Sequence, residues 1–192
     1  MSSIEIRLSG SGGQGLILAG IILAEAAILD GKNSVQSQSY GPEARGGSSK
    51  AEVIISNEYI TYPKVLKPDI LLTLAPSAYL CYKNDMKENG IIIIDESIIP
   101  NNEDTQKVVR LPIIKTAQEV IGRAFVANII SLGVIAELTN VVTKESLERA
   151  VLNRVPPATE EINKRALLEG YNLVRKLGRE MSEKWLYSED PQ

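Results

Sequence analysis

The chain contains no histidine and one cysteine, Cys81, in 192 residues. Without imidazole there is no Ser-His-Asp triad, no His-ligated zinc or haem, and no histidine general base. A single thiol excludes an internal disulfide and an iron–sulfur cluster held by this chain alone. Long apolar runs are missing too. The longest, Leu16 to Leu29, has 14 residues and is interrupted by Glu25, too short to span a bilayer. The segment before it, with Glu5 beside Arg7 and a glycine-rich run, is no basic signal-peptide start, so a cytoplasmic protein is expected. A net charge of -3 speaks against a large nucleic-acid surface. Any redox chemistry must be borrowed from a partner.

What remains is ordinary globular composition, 44% hydrophobic and 23% charged. A chain of this length buries roughly 70% of its unfolded surface, and a single domain over residues 1–192 is expected, with 188–192 a frayed tail. Ser3 to Leu8 alternates apolar Ile4, Ile6 and Leu8 with polar residues and predicts a strand with one buried face. The run from Leu16 to Leu29 predicts a helix buried on most sides, ended by Asp30-Gly31. Val35 to Tyr40 is polar enough for an edge strand. Ala51 to Ser56 and Tyr59 to Tyr62 around Asn57-Glu58 predict a hairpin. Ile70 to Leu74 and Ile91 to Ile94 are continuous apolar runs and predict strands covered on both faces, with helical character between Pro76 and Glu88. Thr116 to Glu119 reads as a capping box starting a helix near Ala117. Helices follow over Arg123 to Asn140, after a break at Gly122, and over Glu145 to Leu152, capped by Thr143. Another, capped by Thr159, runs to about Leu186. Strands alternating with helices, then a helical C-terminal third, imply an α/β three-layer sandwich around a mostly parallel or mixed sheet.

Two motifs can carry chemistry. Gly10 to Gly15, Gly-Ser-Gly-Gly-Gln-Gly, follows a strand and precedes a helix. Such glycines let backbone N–H groups approach an anion at the helix N-terminus. A nicotinamide or flavin dinucleotide site also wants an acid at the end of the second strand. Asp30 lies at the right sequence distance but before that strand, which ends in Ser39-Tyr40. Three readings stay open: a dinucleotide site, a packing turn, or contact with a phosphate ester or partner subunit. The second motif is Ser39-Tyr-Gly-Pro-Glu-Ala-Arg-Gly-Gly47. Its glycines and proline fix a loop in which Arg45 can grip a carboxylate or phosphate bidentately, or pair with Glu43, or stand exposed.

Other residues invite plainer readings. Cys81, between Leu80 and Tyr82, reads as a small hydrophobe rather than a nucleophile. Asp69 and Asp95 read as turn or capping residues rather than a carboxylate pair. Lys64 to Lys67 is solvated charge, and Trp185 and Tyr187 pack on the body or a partner.

The two glycine motifs, in this order, resemble the gamma subunit of 2-oxoacid:ferredoxin oxidoreductases. Further elements of the likeness are Ala19-Gly20-Ile21-Ile22-Leu23-Ala24, Pro68-Asp69, Gly90 to Asp95, Ala127-Asn128, Leu132-Gly133, and Asn163 with Ala166 and Gly170. The likeness spans about residues 4 to 175. The form Ser-Tyr-Gly-Pro-Glu-Ala-Arg-Gly-Gly is most similar to the 2-oxoglutarate branch, while pyruvate, branched-chain and indolepyruvate enzymes carry related domains. The resemblance implies an α/β subunit of an enzyme that decarboxylates a 2-oxoacid on thiamine diphosphate with Mg2+. The acyl group passes to coenzyme A, and electrons pass through 4Fe–4S clusters to ferredoxin. It places thiamine and clusters in alpha and beta chains, with a ferredoxin-like delta chain in a four-chain form, and no cofactor on this chain alone. Membrane and nucleic acid are not partners. It associates this domain with the coenzyme A side. By carry-over, Gly12, Gly13, Gln14 and Gly15 form one loop of the site, and Tyr40, Gly41, Glu43, Arg45, Gly46 and Gly47 the other. Neither loop supplies a proton-transfer group with a pKa near neutrality, so no catalytic residue is expected. The rivals are a stand-alone nucleotide-dependent oxidoreductase and a purely structural assembly subunit.

Overall fold

The computed structural model describes the backbone of residues 3–39, 48–100 and 106–188, and their side chains up to Arg179 except at Ser48. The strands are β1 (Ile4–Ser11), β2 (Asn33–Ser39), β3 (Ser48–Ser56), β4 (Ile70–Thr73), β5 (Ile91–Asp95) and β6 (Lys107–Leu111). The helices are α1 (Leu16–Leu29), α2 (Pro76–Tyr82), α3 (Ile113–Lys115), α4 (Ala127–Thr139), α5 (Lys144–Arg154) and α6 (Glu160–Ser188). All six strands join one sheet in the order β2-β3-β1-β4-β5-β6. β1, β4, β5 and β6 run parallel, while β3 is antiparallel to both β1 and β2. The sheet is mixed.

Alternation within each strand divides the core between two faces. Leu72 and Ile93 join Ile6, Leu8 and Val53 under α1, α4, α5 and α6. Leu71, Ile92 and Ile94 point the other way, onto Tyr79 and Tyr82 of α2. This is the expected three-layer arrangement, with one layer much thinner than the other. α4 and α6 touch through two glycines: a Cβ on Gly133 would lie 2.4 Å from the Leu167 carbonyl oxygen, and one on Gly170 would lie 2.2 Å from that of Ile130. The Leu132-Gly133 and Gly170 elements of the family likeness are therefore packing devices.

Several local expectations fail for non-local reasons. β1 extends to Ser11 and both its faces are covered, Ile6 and Leu8 by the main core and Arg7, on the other face, by Tyr82 of α2, so that Arg7 is buried. Tyr59 to Tyr62 forms no strand, because both edges of β3 are already taken by β1 and β2. Thr116 starts no helix. A helical turn already begins at Ile113 and continues as a π-helix over Thr116–Val120, and its Ile114 N–H is capped by Asp95 Oδ2 at 2.8 Å. Thr159 closes a 3-10 turn before α6, its hydroxyl donating to the Pro156 carbonyl. The expected cap of α5 does form, with Thr143 Oγ1 accepting from Ser146 N–H at 3.2 Å. β6 answers to no expectation. It is five residues with two basic side chains, Lys107 and Arg110. The tail from 189 onward lies outside the described residues.

Candidate functional site

The parallel strands end together, at Ser11, Thr73, Asp95 and Leu111, and open α/β sheets bind ligands outside the carboxyl ends of their strands. The glycine-rich turn of residues 12–15 leaves β1 at this end and enters α1. Among the described residues a Cβ placed on Gly12 or Gly13 meets nothing within 4 Å, so that part of the protein leaves the backbone there open to an approaching group. Gly13 and Gly15 have φ of 86° and 71°, which side-chain-bearing residues rarely adopt. Gly15 is the N-cap of α1, with no side-chain cap and no acid in the first turn. The positive end of the helix dipole therefore faces this turn without a counter-charge on the helix itself.

Gln14 points inward. Its Oε1 accepts from Ser11 N–H at 2.7 Å and its Nε2 donates to the Leu74 carbonyl at 3.2 Å, tying the turn to the end of β4. Asn128, buried at the start of α4, donates from Nδ2 to the Gly15 carbonyl at 3.0 Å. A Cβ on Gly15 would lie 2.6 Å from that nitrogen, so glycine is demanded by contact as well as by φ. Sequence reasoning gave Asn128 no role. The available signal was one amide inside the apolar run from Phe125 to Ile130. Beside the turn opens a cleft of about 200 Å³ lined by Leu18, Phe125, Asn128, Val155, Pro156 and Asn163.

The second motif lies outside the described residues from Tyr40 through Gly47, and with it Tyr40, Gly41, Glu43, Arg45, Gly46 and Gly47. Its stems are described. Ser39 is paired with Lys50, and Ser48 with Ser11 at the mouth of the first turn. Both glycine motifs therefore depart from the same end of the sheet, on neighbouring strands. Sequence order alone gave no such proximity.

The rejected candidates hold their bland roles. Asp69 accepts from Glu5 N–H and pairs with Lys87 at 2.8 Å, while Asp95 caps the chain at Ser97 and Ile114. They mark opposite ends of the sheet and form no pair. Cys81 packs, partly buried, against the cluster around Tyr79 and Tyr82. Lys64 and Lys67 are exposed, and the side chains of Trp185 and Tyr187 are outside the described set. Among the described residues no group of His, Cys, Asp and Glu is placed to hold a metal ion.

Comparison with known proteins places these features in a lineage. The family described as pyruvate ferredoxin/flavodoxin oxidoreductase matches residues 5–173. A 2-oxoglutarate synthase subunit KorC from Methanocaldococcus jannaschii is 51% identical over 90% of this chain and 95% of its own. The pyruvate/ketoisovalerate oxidoreductases common subunit gamma of Pyrococcus furiosus is 32% identical over 88% of this chain and 95% of its own. Among solved structures, the gamma subunit of a keto/oxoacid ferredoxin oxidoreductase from Geobacter sulfurreducens superposes with a TM-score of 0.79. It is 49% identical, over 88% of this chain and 96% of its own.

Proposed function

From membership of the pyruvate ferredoxin/flavodoxin oxidoreductase family, to which this chain belongs, we infer that it is the gamma subunit of a 2-oxoglutarate:ferredoxin oxidoreductase. The holoenzyme converts the 2-oxoacid and coenzyme A to acyl-CoA and CO2 while reducing ferredoxin. Thiamine diphosphate with Mg2+ and 4Fe–4S clusters supply the carbon and electron chemistry from alpha and beta chains. With one cysteine and no histidine, this chain has no donor set for a cluster.

Its own share is binding. The observation that carries this reading is the open Gly12-Gly13 backbone at the N-terminus of α1, beside the stems of the Tyr40 to Gly47 segment. Backbone N–H groups there suit a phosphate of coenzyme A, and Arg45 supplies a guanidinium for a second one. Gln14 and Asn128 hold the turn in shape. The cleft along Leu18 and Phe125 leaves room for an uncharged part of the same molecule. Nothing in either loop moves a proton.

Arg45→Lys in the co-expressed complex tests the assignment. Lysine keeps the charge but loses the two-pronged contact. Apparent affinity for coenzyme A should fall by about 1.5–3 kcal/mol, the worth of one charge-assisted contact. Weakened subunit association with unchanged coenzyme A dependence would assign Arg45 to the assembly instead, the role of a purely structural subunit.

A further inference from the structure

We infer that the cleft beside the glycine-rich turn takes the adenosine end of coenzyme A, with Arg154 binding its 3′-phosphate. The inference rests on the coenzyme A reading and adds to it which part of the coenzyme lies in the cleft. Four helix ends enclose the space: Leu18 comes from the start of α1, Asn128 from the start of α4, Arg154 from the end of α5 and Asn163 from the start of α6. Arg154 is the one charged side chain among the described residues that line it, and no carboxylate does so. α1 and α4 carry no acid in their first turns, so their positive ends add to that charge. The lining suits an anion.

Arg154 is held in place and still available. Its Nε donates to Glu25 Oε2 on α1, while Asn153 donates to the other oxygen of that carboxylate. This pairing orients the planar guanidinium before any ligand arrives. Among the described residues its two terminal nitrogens have no partner, and the side chain is 47% exposed. Phe125 lines the same cleft and is 58% exposed, an aromatic ring open to solvent beside apolar Leu18, Val155 and Pro156. Aromatic rings placed this way stack on nucleobases.

Coenzyme A has two ends of different chemistry. The pantetheine arm carries neither a charge nor a ring and would leave both Arg154 and Phe125 unused. The adenosine end carries a flat base and a phosphate on the ribose 3′ oxygen, one partner for each. The same ribose bears the diphosphate on its 5′ oxygen, so the two anion sites must adjoin. They do: Asn128 lines the cleft and donates to the Gly15 carbonyl of the turn. The turn takes the diphosphate and Arg154 the remaining phosphate.

Titration calorimetry on the enzyme assembled with alpha and beta chains reads the outcome, with coenzyme A and 3′-dephospho-coenzyme A as ligands. Wild type should bind the dephospho form about 10-fold more weakly, the worth of one charge-assisted contact. Arg154→Gln should weaken coenzyme A to that level and leave the Kd of the dephospho form unchanged. Phe125→Ala should weaken both by about 5-fold or more, because both carry the base. Phe125 is exposed, so this variant keeps the test open if loss of the Glu25 pair disturbs folding. An Arg154→Gln enzyme that keeps the wild-type preference, or that weakens both ligands alike, would overturn the inference, as would unchanged binding in Phe125→Ala. Gly12→Val separates this failure from that of the coenzyme A reading. Weaker binding in Gly12→Val with the preference intact in Arg154→Gln retains the turn and rejects the cleft. Unchanged binding in all three variants rejects both.

Discussion

Gly15 and Gly12 belong to one turn but answer to different constraints. At Gly15 a methyl group meets Asn128 Nδ2 at 2.6 Å and the φ of 71° penalises any side chain. At Gly12 it meets open space. Gly15→Ala should therefore cost about 1–3 kcal/mol in urea unfolding of the isolated chain. Gly12→Ala should stay within about 0.5 kcal/mol of wild type. Similar costs for both would mean that the turn is only a packing device. The glycine spacing was legible in the sequence because it is local. The bracing was not: Gln14 reaches Leu74, and Asn128 reaches Gly15, across 60 and 113 residues of chain.

Among the elements, β1 shows most clearly what alternation conceals. Its Arg7 lies in a buried position, with Nε donating to Glu52 Oε1 at 2.8 Å, a longer contact to Asp85, and the Tyr82 ring beneath it. Removing the cation alone leaves Glu52, among the described residues, the Lys50 contact at 3.1 Å to compensate. Arg7→Met should thus destabilise by about 3 kcal/mol, and adding Glu52→Leu should recover much of that loss in the same denaturation experiment. Packing between helices has a pH signature. Burial would raise the pKa of Glu25 and of Glu137, but Asn153 with Arg154 and Lys144 with Arg175 outweigh it, and both carboxyls are held below their usual range. Asp30 is lowered likewise against its burial, by Ser146, Thr143 and Lys32. Carboxyls depressed in the folded chain stabilise it above their unfolded pKa values and cease to as pH falls through the native ones. Urea midpoints should therefore hold from neutrality down to about pH 5 and drop below it, less steeply in Glu137→Gln. A flat profile across the acid range would contradict this. Apolar runs such as Ile91 to Ile94 declared their strands, since burial on both faces needs no partner to be recognised. Thr116 misled, because the cap of that turn comes from Asp95 at the end of another strand.

For the molecule as a whole, the α/β layering was legible from the alternation of strand and helix signals. The mixed sheet was left open because its direction depends on β3 inserting beside β1, a choice no local pattern records. That insertion also sets Ser48 against Ser11 and so brings both glycine motifs to one end of the sheet. The central claim is that this junction binds coenzyme A, and Gly12→Val tests it most directly. The substitution adds bulk where a Cβ meets none of the described residues within 4 Å, so the isolated subunit should melt as wild type. In the enzyme reconstituted with alpha and beta chains, the KM for coenzyme A should rise by about 10-fold or more, the worth of one lost charge-assisted contact. The KM for the 2-oxoacid should not move. An enzyme that assembles normally with an unchanged KM for coenzyme A would contradict the account.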